Sequence, residues 1–206
     1  DFGDLDEFIT KVRLRADFRD ATVASDDIAI FAPALSSWKM NFEVSGVADG
    51  PIANLQGSDM DIKASATTEL SGEIRMRGLP DIDNTFIDFQ AQHLRTTGKD
   101  IQRFVPSLRS QSTINLDRLS MISFSGSYTG FIQDFVAYGD FKTNLGDLHS
   151  DLNMKFGKAY AVPVYSGKIS AQQFNLGSLL SDSLLGPVSF SAKVDGSGFN
   201  LNDLNA

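Results

Sequence analysis

The sequence contains no cysteine. Disulfide scaffolds, thiol nucleophiles and cysteine-ligated zinc are excluded at once. Histidine is scarce, with 2 residues in 206. His93 and His149 stand alone, neither with a second histidine three or four positions away, so a zinc site has no ligand pair to grow from. Positive charge is also short: 18 Lys and Arg against 26 Asp and Glu leave a net charge of −8. Nucleic acids and anionic membrane surfaces are held by clusters of Lys and Arg, so that balance argues against both as partners. Apolar runs stay well short of the roughly 18 to 20 residues that span a bilayer as a helix. Gly at 17 and Pro at 6 are close to ordinary usage, which excludes collagen-like and low-complexity chains.

What is present is phenylalanine, 16 residues against 4 Tyr and 1 Trp, an aromatic content with few polar handles. It is laid out in alternation. Trp38-Lys39-Met40-Asn41-Phe42-Glu43-Val44 places its apolar residues on even numbers. Met60 to Ala64, Leu70 to Arg77 and Ile87 to Gln92 alternate in the same way. So do Ile122 to Phe124, Phe135 to Phe141, Leu148 to Phe156, Tyr165 to Ala171 and Val188 to Val194. Period two means strands with one apolar face and one wet face, the signature of antiparallel sheet. Turn signals separate them at Asp49-Gly50-Pro51, Gly78-Leu79-Pro80-Asp81, Leu145-Gly146-Asp147 and Asp195-Gly196-Ser197-Gly198. Three stretches break the pattern and are expected to be short helices: residues 4–12, a helix capped by Ser25-Asp26-Asp27, and one capped by Gly98-Lys99-Asp100. Pro33 and Pro106 keep the last two short.

Those two helical segments are copies. Asp27-Ile28-x-x-Phe31-x-Pro33-x-Leu35 matches Asp100-Ile101-x-x-Phe104-x-Pro106-x-Leu108 at an offset of 73 (100 − 27). Gly46 to Gly50 matches Gly126 to Gly130 at 80 (126 − 46), and Phe89 to Leu94 matches Ile169 to Phe174 at the same 80 (169 − 89). A third start is expected at Phe174-Asn175-Leu176-Gly177-Ser178-Leu179-Leu180. The expected organisation is residues 1–24 as the end of a preceding unit with a short helix and strand, 25–97 as a first repeat, 98–173 as a second and 174–206 as the start of a third. Asp1 opens without Met or leader, and Leu201 to Ala206 breaks off within the pattern, so the expectation is an interior piece of a longer protein.

The fold class expected is all-β: a repeat-built, curved antiparallel sheet with short helical connectors. Its apolar face must be covered. Burying one Phe or Leu side chain is worth roughly 1.5 to 3 kcal/mol, so a row of them does not face water. A second sheet would serve, as in an ordinary β-sandwich. A sheet curled into a trough would instead take an apolar guest, and acyl chains, linear and without hydrogen-bonding needs, suit it best. The candidate lining is Met40, Phe42, Val44, Ile62, Ile74, Met76, Phe89, Phe124, Phe135, Phe141, Leu152, Met154, Phe156, Ile169, Phe190 and Val194. Their role is to solvate acyl chains, and Phe42→Arg or Phe124→Arg is expected to block transport while leaving the chain folded. Ile28, Phe31 and Leu35, with Ile101, Phe104 and Leu108, either plug the end of a unit or gate the trough.

No catalytic set assembles, so the expectation is a protein that is not an enzyme. Asp81-Ile82-Asp83-Asn84 lacks the Gly and terminal Glu of a calcium loop. Gly126-Ser127-Tyr128-Thr129-Gly130 carries Tyr at the nucleophile position of G-x-S-x-G. Asp59 and Asp61, two apart, are expected on one side of a strand as a solvated face. No motif asks for a cofactor or metal.

The residues resemble the Bacteroidota-type members of the TamB family, the translocation and assembly module inner-membrane component, within the AsmA-like proteins. The resemblance is carried by Asp27-Ile28 with Phe31 and Pro33, Val44-Ser45-Gly46 with Gly50 and Asn54-Leu55, and Arg77-Gly78-Leu79-Pro80-Asp81-Ile82-Asp83-Asn84-Thr85. It continues in Phe124-Ser125-Gly126-Ser127-Tyr128-Thr129-Gly130-Phe131 and in Asp134 to Gly139 with Thr143 and Leu145-Gly146. The resemblance implies an interior periplasmic segment of a protein held in the inner membrane by an N-terminal helix outside this piece. It implies a β-taco groove lined with apolar side chains that conducts phospholipid between inner and outer membranes in outer-membrane biogenesis. An outer-membrane barrel partner would bind through parts outside the segment. Two readings compete with it: an extracellular β-sandwich module for adhesion or glycan binding, and a structural spacer.

Overall fold

The structure is a computed structural model and describes residues 7–29, 38–104, 108, 114–156 and 162–198. It is all-β, as the alternation predicts. Ten strands follow one another in sequence order in an antiparallel meander. They are β1 (Leu14–Ala24), β2 (Asn41–Gly50), β3 (Asn54–Lys63), β4 (Glu69–Arg77), β5 (Phe86–Thr96), β6 (Ile122–Phe131), β7 (Asp134–Thr143), β8 (Gly146–Lys155), β9 (Val164–Asn175) and β10 (Pro187–Ser197). The helices are short: α1 (Phe8–Lys11), α2 (Ser25–Ile28), α3 (Gly98–Phe104) and α4 (Leu176–Leu180). A helix follows every fourth strand, α2 after β1, α3 after β5 and α4 after β9. Contacts gather into two compact units, Asp1–His93 with Tyr128–Ile132, and Leu94–Ser127 with Gln133–Ala206.

In the first unit the register sets the faces. Val23 lies opposite Phe42 and Ala21 opposite Val44; Val44 faces Ile62, and Ile62 faces Leu70. Directly opposed residues share a face. Phe42, Val44 and Met60 form the buried centre, with Phe18, Val23, Trp38, Met40, Ile62, Ala64 and Ile74 packed around them. The other face is a ladder of charge. Glu43 pairs with Lys63, Lys63 lies opposite Glu69, and Glu69 reaches His93 at 3.8 Å. Arg13 and Arg15 both hold Asp49, and the hydrogen bond from Arg13 is the foremost cause that keeps its carboxyl below the ordinary range. Exposed pairs of this kind fix register more than they stabilise.

The second unit repeats the logic. Phe141, Leu148, Ala171 and Phe190 are opposed in turn across β7, β8, β9 and β10. Ala137, Leu152, Gly167 and Val194 form a second row, and Phe135, Met154, Tyr165 and Gly196 a third. Every residue in these rows is apolar or glycine. The intervening rows carry Asp147, Asp151, Lys168, Lys193 and Asp195.

Four local expectations are corrected. Ser25 does not cap α2; the residue before the helix, Ala24, has no capping side chain, and the Ser25 hydroxyl instead accepts from the Met40 amide at 3.1 Å. At α3 the oxygen comes from Thr97, which accepts from the Asp100 amide at 3.2 Å. Asp195-Gly196-Ser197 is not a turn but the end of β10. The Tyr165 ring lies over Gly196, 3.1 Å from where a Cβ would stand, so a side chain there would press on the ring. Asp59 does not alternate with Asp61: it sits in a bulge with φ of 51°, between Gly57 and Met60.

That bulge is one of three built alike. Asp20 and Gln173 are also left-handed, at 50° and 48°, each beside a register shift. The amides of Asp20, Asp59 and Gln173 each donate to a side-chain oxygen of the neighbouring strand: Ser45 at 3.0 Å, Glu73 at 2.9 Å and Ser189 at 2.9 Å. A bulge removes a ladder partner, and these oxygens replace it.

Candidate functional site

Among the described residues no group of three or more His, Asp or Glu gathers around a cavity, so the site to consider is the apolar face of each unit. In the first, the packed cluster gathers Met40, Phe42, Val44, Ile62 and Ile74 of the expected lining. Met76 lies opposite Leu55, two residues along β4 from Ile74. Phe89 is half-buried on β5, alternating with buried Ala91. In the second, Phe135, Phe141, Leu152, Met154, Ile169, Phe190 and Val194 share one face by register. Phe124 joins them: its ring centroid is 4.6 Å from that of Phe141, and its edge lies 2.8 Å from where a Cβ on Gly139 would stand. Phe156, just past β8, meets Phe135 edge to face at 6.0 Å. The expected lining omitted Met60, Leu55, Leu148 and Tyr165, which the register adds to these faces. Met60, Leu148 and Tyr165 each began an expected alternating run, so their period was the available signal; Leu55 lies before the bulge at Asp59, outside any expected run.

Burial separates these residues into two groups. Phe42 and Phe124 are 7% and 6% exposed, members of small packed centres. Phe135, Phe141, Leu152, Met154, Ile169 and Val194 are half-buried, and Phe190 is 40% exposed. A second sheet packed face to face would bring such residues to near-complete burial. The expectation that Phe42→Arg and Phe124→Arg leave the fold intact therefore gives way, because both positions are core.

The connector residues are placed in part. Ile28 ends α2; Phe31 and Leu35 lie outside the described residues. Ile101 and Phe104 are half-buried in α3, and Leu108 is half-buried beyond it. In the second unit the connectors hold one another. The Asn115 amide donates to Leu179 O at 2.7 Å, its side chain to Ser181 Oγ at 3.1 Å, and Gln102 donates to Asp117 at 3.1 Å. Asn175 caps α4 by accepting from the Ser178 amide at 2.9 Å. Asn175→Ala is expected to cost about 1 kcal/mol, read as a lower urea midpoint, with Asn175→Asp close to wild type.

Elsewhere the chemistry is quiet. Among the described residues no group of three or more His, Asp or Glu gathers closely enough for a metal ion. The Tyr128 hydroxyl donates to Phe131 O at 2.9 Å, and burial pushes its phenol above the ordinary range, away from phenolate chemistry. His149 is bonded to Asp140 at 2.8 Å on the wet face, with Tyr138 edge-on at 5.4 Å. An open cleft of about 700 Å³ is lined by Asn144, Leu145, Gly146, Asp147, Gln172, Gln173, Asn175, Pro187 and Ser189. Its amides and carboxylate suit water, not an acyl chain. No helix among the described residues is long and apolar enough to cross a membrane. No family model, no curated protein and no solved structure matches the chain.

Proposed function

We propose that the protein binds acyl chains on the apolar face of its sheet and acts without catalysis. The observation that carries this reading is the half-burial of the second unit's apolar face. Phe135, Phe141, Leu152, Met154, Ile169 and Val194 are neither in a closed core nor scattered; they are contiguous across four strands. Contiguous exposed apolar surface of this kind marks a binding surface. Its guest is linear and apolar, because the face offers rows of hydrocarbon and no buried polar side chain lacking a partner among the described residues. Together with the resemblance to the TamB family, this supports an interior segment of a periplasmic protein anchored in the inner membrane. Such a segment passes phospholipid between inner and outer membranes. A barrel partner would bind through other parts of the protein.

An adhesion or glycan-binding sandwich fits less well, since its apolar faces would close on each other. Native mass spectrometry tests the proposal. The chain, purified without detergent and incubated with phosphatidylglycerol vesicles, is expected to carry adducts of one or more phospholipid masses. A bare chain mass under those conditions overturns the reading and leaves the spacer.

A further inference from the structure

Among the described residues β1 and β10 each have a strand on one side only, β2 and β9 respectively. An edge strand leaves a row of backbone amides and carbonyls open, and proteins usually blunt it with charges, proline or a covering element. These two edges are both 11 residues long, and each carries charges of both signs. Arg15 and Asp17 lie on the wet side of β1 before its bulge, and Lys193 and Asp195 on the wet side of β10. Arg15 also holds Asp49 and Asp17 holds Arg19, yet their side chains are 72% and 56% exposed and keep an outward side. Lys193 stands opposite Lys168, and neither Lys193 nor Asp195 has an ion-pair partner among the described residues.

We propose that β10 takes the β1 edge of a second copy of this chain, antiparallel and head to tail, with Asp17 opposite Lys193 and Arg15 opposite Asp195. Only registers two residues apart keep apolar side with apolar side. A slip of two residues one way sets Arg15 against Lys193, and the same slip the other way sets Asp17 against Asp195. The register between them makes both pairs opposite in sign. It also sets Ala16 against Val194 and Phe18 against Ala192. The extra residue of β1 at its bulge is passed over, as β2 passes it, and Ala21 then meets Phe190. Leu14 at 38% and Phe190 at 40% are the exposed large apolar side chains of these two strands, and each gains a neighbour.

Affinity comes from the added ladder of main-chain hydrogen bonds, while the charges select register and partner. The two surfaces differ, so the contact is heterologous, and a bound pair still presents one edge of each kind. The contact uses edges and not the apolar face, so it stands apart from lipid binding.

Sedimentation velocity of the lipid-free chain, from low to high micromolar concentration at low salt, tests it. The weight-average sedimentation coefficient is expected to rise with concentration. Lys193→Asp relieves the like charge of Lys168 within its own sheet, yet faces Asp17 across the contact, and is expected to weaken association about ten-fold. Asp17→Lys alone is expected to do the same. An equal mixture of the two single variants is expected to associate again, because each edge finds its opposite on the other chain. Within one chain, Asp17→Lys rescues Lys193→Asp and does not rescue Asp195→Lys, which fixes the register. Should Asp17→Lys disturb β1, seen as a lower melting temperature, Arg15→Glu with Asp195→Lys carries the same comparison. A chain that sediments as monomer at every concentration overturns the proposal. Association that Lys193→Asp leaves unchanged, or that Leu152→Arg abolishes in its place, also overturns it by moving the contact off the edges.

Discussion

Phe42→Arg is expected to unfold the first unit, whereas Leu152→Arg is expected to leave the second folded and empty of lipid. Phe42 is 7% exposed and sits with Val44 and Met60 at the centre of a small cluster. Removing a buried Phe side chain already costs about 3 to 5 kcal/mol, and an unpaired guanidinium in its place adds desolvation. A whole domain holds only about 5 to 15 kcal/mol, so little or no folded unit remains. Leu152 is half-buried between Ala137 and Gly167, small neighbours that leave an Arg stem room to lie along the sheet with its charge in water. Its loss is expected to stay below about 2 kcal/mol, since its methyl groups are only partly withdrawn from water. Circular dichroism melts report the folding difference. Native mass spectrometry reports whether Leu152→Arg has lost the phospholipid adducts of the wild type. Equal melts for the two variants would show that burial does not divide core from lining. Full retention of adducts in folded Leu152→Arg would remove the second unit's face from the binding surface.

Gly72→Ala is expected to lower stability by about 3 kcal/mol, through backbone strain and overpacking together. Gly72 has φ of 149°, a conformation that side chains bearing a Cβ rarely adopt, and it lies in the middle of β4. The added Cβ would run into the Gln90 carbonyl oxygen of β5, with the Gln92 amide nitrogen 3.2 Å away. Both obstacles are backbone, so relief requires β4 and β5 to part rather than a side chain to turn. Urea denaturation measures the loss. Gly186→Ala is the control, because nothing lies within 4 Å of its position and its cost should be close to zero. Gly72→Ala unfolding at the wild-type midpoint would contradict the close approach of the two strands.

Much of the fold was legible in the residues. Trp38 to Val44 and Phe135 to Phe141 announce their strands by period two, which in an antiparallel pair puts every second side chain on one face whatever the partner is. The all-β class, the wet and apolar faces and the short helices at residues 25 and 98 follow from that period and from the connectors. The apolar face of the second unit was legible for the same reason: β7 and β8 pair without a register shift, so alternation along each strand and opposition across them agree.

Where a shift intervenes, the sequence misleads. Asn54 to Ser58 does not read as the first half of β3, because the bulge at Asp59 puts Gly57 and Met60, three apart, on the same face. Leu55, opposite Met76 on the far side of that shift, was thereby passed over. Ser25 reads as a helix cap, yet its hydroxyl accepts from the Met40 amide just before β2, fifteen residues on, a contact no local rule contains. The glycines at 126 and 167 carry no local signal of their role, and each is a place where backbone from the neighbouring strand comes too close for a Cβ. Period, composition and charge are local quantities, so the chain alone settled that this is a sheet with one apolar and one charged face. Register, close approach and degree of burial belong to pairs of distant residues. Only the tertiary structure could divide Phe42 and Phe124, each buried within its own unit, from Leu152 and Ile169, which stay half-buried.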